Sequence, residues 1–129
     1  MSALWTFERF TPGSPTGTAS VTLDAGRRAG WTSLFGEPRG DGMPQGLFVA
    51  AMMEAYIEAM QPRPKGNVHA GQSLTFTGAE VPADATLDFA FTCAAKEMKR
   101  ERRWVWFDFE ATCAGQAVMD GRITALWAA

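Results

Sequence analysis

The segment PQGLFVAAMMEAYIEAM, residues 44–60, constrains the fold of this chain more than any other. It begins with a proline, which the first turn of a helix tolerates, and two further prolines follow its end. From Leu47 onward its strongly polar side chains are Glu54 and Glu58. A helix that is apolar on every side must be buried on nearly every side. The sequence therefore predicts a central helix over about residues 46–60.

After this segment the hydrophobic period changes from helical to alternating. In the clearest case Val105, Phe107 and Phe109 share one face of a strand, while Trp104 and Trp106 share the other. Short turns separate successive runs, which implies hairpins and an antiparallel sheet. The strands are predicted over about residues 67–77, 87–95, 103–113 and 117–127. One sheet of this size can bury an all-apolar helix only by curling around it.

The N-terminal part of the chain is less regular. Residues 1–18 are punctuated by proline and glycine, and we predict an arm or short strand over Leu4–Phe10 followed by a loop. Ala19–Leu23 is a candidate for a short strand, and residues 27–35 could form a helical turn. The length of 129 residues fits a single domain, residues 1–129.

Charge and composition argue against several classes of function. The net charge of -2 argues against a nucleic-acid partner, which usually selects a basic face. The basic run Lys96–Arg103 is broken by glutamates and is typical of a solvated hairpin turn, with a rim for a phosphate-bearing ligand as the alternative. The longest apolar stretch is too short for a membrane span, and the N-terminus lacks a signal peptide. We therefore expect a cytoplasmic protein, with Cys93 and Cys113 as buried free thiols and no metal site.

This order of elements resembles the hotdog fold, an α+β fold in which a curved antiparallel sheet wraps around one long central helix. Within that superfamily the sequence resembles the MaoC-like dehydratases over roughly residues 20–127. The stretches that carry the resemblance are Gly36-Glu37 after an aromatic segment, Asp41-Gly42-Met43 at the helix entry, Ser73–Leu87, and the closing hairpin Lys96–Trp127.

The resemblance implies an acyl thioester of coenzyme A or of acyl carrier protein as substrate, with no cofactor beyond that thiol carrier. It implies first a hydratase or dehydratase of enoyl-CoA. MaoC-like hydratases carry an aspartate and a histidine in one short motif, but the matching stretch, residues 36–41, contains no histidine. The acid would then be Glu54, Glu37 or Asp41, and His69 is the single histidine of the chain. Related dehydratases place an acid five residues after the helix glycine, where this chain has Ala51.

A second reading is a thioesterase. Many hotdog thioesterases have a glycine at the helix start and an acid eight residues later, a spacing that Gly46 and Glu54 match. The helix N-terminus offers free N–H donors to a carbonyl that becomes an oxyanion. An acid two turns later could act as base or nucleophile, and burial would raise its pKa. The alternative is that Glu54 and Glu58 share a face that meets solvent or a dimer seam.

The resemblance also implies a homodimer or a larger oligomer, with sites at the interface between subunits. Polar residues on the strand after the helix would then reach the neighbouring site, so Asn67, Gln72 and Ser73 are candidate substrate-binding residues beside His69. Arg102 is a candidate for the nucleotide phosphates.

Each candidate also has a structural interpretation. His69 could make only a structural hydrogen bond, and Asp41 could only cap the helix. A third reading of the whole chain is an acyl-binding subunit that has lost its catalytic groups and partners an active paralogue.

Overall fold

The computed structural model describes residues 3–40 and 42–129. A single 3-10 turn, Phe7–Arg9, precedes the main elements. In chain order these are β1 (Pro15–Thr22), α1 (Ala25–Phe35), α2 (Gln45–Ala59), β2 (Val68–Phe76), β3 (Thr86–Lys99), β4 (Arg102–Cys113) and β5 (Gln116–Trp127).

The five strands form one antiparallel sheet in the order β1-β3-β4-β5-β2. The central strands β3, β4 and β5 are joined by hairpins, while β1 and β2 are the two edges. Each pair of strands contains one register shift, for example between His69 and Gly71 in β2. Such bulges bend strands and increase their twist. The predicted α+β class, with an antiparallel sheet packed on one long helix, is confirmed.

The inner face of the sheet and one side of α2 form the core. Val105, Phe107 and Phe109 of β4 are buried there, as their alternation predicts, while Trp104 and Trp106 point to the outer face and are half-buried. The buried side chains of α2 are Leu47, Phe48, Ala51, Met52, Ala55 and Tyr56. At about 25 cal/mol per Å² of apolar surface, this contact is the main stabilising term of the fold.

Gly17 lets the edge strand β1 cross α2 at close range. A Cβ atom at position 17 would overlap the main-chain carbonyl oxygen of Ala59, at the last turn of the helix. The contact therefore requires a residue without a side chain.

The prediction that α2 is buried on nearly all sides is wrong for the single chain. The side of the helix away from the sheet is exposed at Gly46, Ala50, Glu54, Ile57 and Glu58. Ile57 keeps 47% of its surface accessible. Within the described residues this face is covered only by α1, which contacts it at Gly46 and at Glu54.

Several boundaries also differ from the predictions. The ambiguous segment is a full helix, α1, which begins at the N-cap Asp24, whose side chain accepts a 2.9 Å hydrogen bond from the Arg27 N–H. The arm predicted as a strand over Leu4–Phe10 contains only the 3-10 turn. The short strand predicted at residues 19–23 is the longer β1. Cys93 is buried but Cys113 is only half-buried, and both thiols are free.

Candidate functional site

The first turn of α2 lies beside a cavity of about 560 Å³. Its apolar lining comes from Met43, Phe48, Phe76, Val81 and Val118. Gln45 and Glu80 supply polar groups, and Glu80 is the carboxylate among the described residues that line it. The N–H groups of a first helical turn have no acceptor within the helix and carry the positive end of its dipole. The site can thus accept an apolar chain with a polar, electron-rich end group.

Trp31 of α1 packs directly on Gly46 in this first turn. A Cβ atom at Gly46 would lie 2.9 Å from the indole Nε1 of Trp31. The absence of a side chain at position 46 therefore has a packing reason as well as the predicted functional one. The contact also brings an indole N–H, a hydrogen-bond donor, next to the free N–H groups of α2. No motif in the sequence pointed to Trp31.

Glu54 lies on the exposed side of α2 and forms an ion pair with Arg27 of α1. The guanidinium donates a 2.7 Å hydrogen bond from Nη2 to Glu54 Oε1, and Nη1 lies 2.5 Å from Oε2. The hydrogen bond from Arg27 holds the pKa of Glu54 below its usual value, and this effect outweighs desolvation. The expectation that burial raises the pKa of Glu54 is therefore wrong. The side chain is 45% exposed, and both of its carboxylate oxygens contact the Arg27 guanidinium.

His69 lies on the edge strand β2, near the C-terminal end of α2. Its Nε2 is 3.0 Å from Gln72 Oε1, and its ring is 6.4 Å from the ring of the buried Tyr56. Burial raises the pKa of the Tyr56 hydroxyl, which Arg63 partly offsets. When Gln72 Oε1 accepts from Nε2–H, the second ring nitrogen, Nδ1, is left as the acceptor.

The other predicted residues have separate positions. Asn67 accepts a 2.8 Å hydrogen bond from the Ala128 N–H and so ties the strand ends together. Ser73 lines a groove on the outer face of the sheet, and Arg102 stands at the β3–β4 hairpin beside Trp104. Asp41 lies outside the described residues, and Glu37 is exposed in the loop before α2.

One chain does not bring the predicted catalytic residues together. Gly46 and Glu54 are eight residues apart, which is about 12 Å along a helix. His69 contacts Tyr56, ten residues beyond Gly46 in the same helix, so it lies at the other end of α2 from the cavity. The described residues contain no cluster of three metal-ligating side chains, and no helix among them is long and apolar enough to cross a bilayer.

Comparison of the sequence with protein-family models and with curated proteins gives no match. The structure, in contrast, is similar to many solved structures. The MaoC-like dehydratase from Rhodospirillum rubrum superposes with a TM-score of 0.75 at 15% identity, over 95% of this chain and 96% of that one. This chain adopts the hotdog fold. The fold that the sequence resemblance implied is confirmed.

Two other hotdog structures carry different activities in their names. The R-hydratase PhaJ1 from Pseudomonas aeruginosa gives a TM-score of 0.77 at 16% identity, over 95% of this chain and 84% of that one. A variant of the fluoroacetyl-CoA-specific thioesterase FlK gives 0.67 at 18% identity, over 91% and 87%. The fold is therefore common to hydratases and thioesterases, and fold alone does not choose between them.

Proposed function

We propose that this hotdog protein acts on acyl thioesters of coenzyme A or acyl carrier protein, as a MaoC-like hydratase or dehydratase. The observation that carries the proposal is the largely apolar cavity at the first turn of α2, which Gln45 and Phe48 line from either side of Gly46 in the chain. An acyl chain fits the apolar lining, and a thioester carbonyl fits the N–H groups at the helix start.

In hydration, water adds across the C2–C3 double bond of a trans-2-enoyl thioester. A base takes one proton from water, the oxygen bonds to C3, and an electron pair moves onto the thioester oxygen. That oxyanion would be stabilised by the Gly46 N–H and by the Trp31 indole N–H. When the electron pair returns, C2 takes a proton from an acid, which completes the addition.

The acid and base in this proposal are Glu80 and His69. Glu80 lines the cavity, whereas His69 of the same chain stands too far along α2. A second copy can supply the histidine. The Thr77 N–H donates to the carbonyl oxygen of Val118 on the neighbouring strand β5. N–H groups two residues apart on a strand point to the same side, and those of the residues between them point to the opposite side. The N–H groups of Leu74 and Phe76 therefore face the free edge of β2.

We therefore propose a homodimer in which two β2 edges pair antiparallel about Gln72. With the bulge between His69 and Gly71 retained, His69 of one copy lies beside Leu74 of the other, on the inner face. Phe76 is two residues further on the same face and lines the cavity. The coenzyme or carrier group enters only as part of the substrate.

The test is an assay of the purified protein with saturated and trans-2-enoyl-CoAs. It follows the enoyl absorbance and the release of free thiol in parallel. We expect loss of enoyl absorbance without thiol release, and at least a hundredfold lower kcat in His69→Ala and Glu80→Gln. Glu58→Gln is the matched control, because it removes an exposed carboxylate of α2 remote from the cavity. Full activity in His69→Ala would overturn the assignment.

A second candidate is hydrolysis of the thioester. The observation that favours it is the position of the Glu54 carboxylate two turns after Gly46 on α2, where the bidentate contact with Arg27 holds it in the charged form that can activate water or attack a carbonyl. Thiol release that disappears in Glu54→Gln and persists in Glu58→Gln would select this reaction. Turnover of neither substrate alone, but turnover with a second hotdog chain, would select the partner-subunit reading instead.

A further inference from the structure

The outer face of the sheet carries a groove at the β3–β4 hairpin that the proposed reaction does not use. Its volume is about 540 Å³. Its lining is Glu97, Lys99, Arg100, Arg102, Trp104 and Trp106. These tryptophans alternate along β4 with residues that are buried against α2, so the groove and the cavity lie on opposite faces of the sheet.

Trp104 and Trp106 form an aromatic platform of two nearly parallel rings. Their ring centroids are 6.1 Å apart, with only 16° between the ring planes. Both side chains are half-buried. Among the described residues, cation–π contacts involve Arg9, Arg63 and Lys96, but none of the groove's own cations covers these rings. The π-face of the platform is thus available to a planar ring.

The rim of the platform is positively charged. Lys99, Arg100 and Arg102 face one lining carboxylate, Glu97, and no ion pair within residues 3–40 and 42–129 uses any of the three cations. A local positive rim on a chain with a net charge of -2 favours an anionic ligand over nonspecific attraction to polyanions.

The hairpin turn keeps this rim in an unfavourable backbone conformation. Arg100 and Glu101 have φ angles of 53° and 63°. Two-residue turns of this kind are normally made by Asn-Gly or Asp-Gly, because other residues are strained there. The turn thus carries the charged side chains of Arg100 and Glu101 at positions where glycine is common.

We propose that this groove binds a nucleoside phosphate, with the base stacked on Trp104 and the phosphate held by Lys99, Arg100 and Arg102. Stacking requires a planar ring, and the charged rim requires an anion beside it. The two requirements together exclude a simple acyl chain and a bare phosphate as the preferred ligand. The nucleotide could be free or could be the nucleotide end of a coenzyme A molecule, and this site does not depend on the proposed reaction.

The experiment is isothermal titration of the purified protein with ADP, with adenosine, with inorganic phosphate and with coenzyme A. We expect saturable binding of ADP, one per chain, and weaker binding of adenosine and of phosphate. Trp104→Ala and Arg102→Ala should each weaken ADP binding by on the order of tenfold, while Trp104→Phe retains most of the affinity. Lys65→Ala is the control, because this exposed cation lies in the loop before β2.

The result that overturns the proposal is equal binding of phosphate and ADP with no effect of Trp104→Ala, or no saturable ADP binding at all. Circular dichroism of each variant confirms that it is folded. The source of the nucleotide follows from kinetics with any active substrate: a raised KM for acyl-CoA but not for acyl-pantetheine in Trp104→Ala assigns the site to the coenzyme. If Trp104→Ala leaves the KM for acyl-CoA and for acyl-pantetheine unchanged, while the wild-type protein binds ADP, the site is assigned to a free nucleotide. ADP titration needs no turnover, so its outcome is independent of the reaction.

Discussion

Arg27 and Glu54 join α1 to α2 through one bidentate ion pair, with a 2.7 Å hydrogen bond from Arg27 Nη2 to Glu54 Oε1. α1 has no buried residue of its own. The Arg27–Glu54 pair and the contact between Trp31 and Gly46 attach it to α2. The same pair lowers the pKa of Glu54, the carboxylate that the sequence singled out as a catalytic candidate.

The ion pair makes stability depend on pH in a defined direction. The folded-state pKa of Glu54 is lowered, so its contribution is present above the unfolded pKa of about 4.3 and is lost as pH falls through the folded value. Because both side chains are partly exposed, we expect Arg27→Gln to cost at most about 1 kcal/mol at pH 7, and less at pH 3. Urea denaturation at the two pH values measures this.

A double-mutant cycle separates the ion pair from other effects of Arg27. Arg27→Gln, Glu54→Gln and the double variant should show a coupling free energy at pH 7 that decreases as the pH falls toward the folded-state pKa of Glu54. An NMR titration of Glu54 in Arg27→Gln should give a pKa closer to the ordinary value of a glutamate. Coupling that is independent of pH would contradict the assignment.

Gly17→Ala should be strongly destabilising. The new methyl group overlaps the Ala59 carbonyl oxygen, so β1 and α2 must move apart, at a cost of about 1–3 kcal/mol. Thermal denaturation measures the loss. Gly30→Ala is the control, because a Cβ there meets nothing within 4 Å in the middle of α1, and we expect a gain of up to about 1 kcal/mol. Equal effects of the two substitutions would contradict this account.

Proline at the free edge of β2 should convert the proposed dimer to a monomer. Gln72→Pro removes an N–H group that points away from β5. The hydrogen bonds between β2 and β5, such as that from the Thr77 N–H to Val118, stay intact. Light scattering across a dilution series measures the mass. Thr18→Pro is the matched control on β1, the other edge strand. The Leu23 N–H donates to Ala85, beside β3, and Thr18 is an odd number of residues away, so its N–H points to the free edge. A monomeric wild-type protein, or dissociation in the control alone, would rule out this interface.

The two cysteines should react at very different rates with a thiol reagent. Cys93 is fully buried, and desolvation raises the pKa of its thiol, so little of the reactive thiolate forms. Cys113 is half-buried at the end of β4. With iodoacetamide at pH 8, we expect Cys113 to be alkylated first and Cys93 only after denaturation. Peptide mass spectrometry distinguishes the two sites.

The elements that sequence alone predicted are those whose signal is local. Prolines flank α2 on both sides. Its observed bounds, Gln45–Ala59, differ from the predicted ones by one residue at each end. The alternation through β4 assigned Val105 and Phe107 to the core correctly, because a side-chain period of two leaves only one register compatible with a buried face. α1 was ambiguous because it buries none of its residues and so has no strong hydrophobic period.

What the sequence determined by itself is a long apolar helix, an antiparallel sheet and hence the hotdog fold, because hydrophobic period and turn residues act over a few neighbours along the chain. Only the tertiary structure decided what surrounds each polar group. It placed Arg27 beside Glu54 and Trp31 beside Gly46, and the partners in each pair are 15 or more residues apart in the chain. It also placed Glu80 at the cavity, although no motif marks that position. A pKa and a cavity depend on neighbours in space, and a single sequence contains no direct record of those distances.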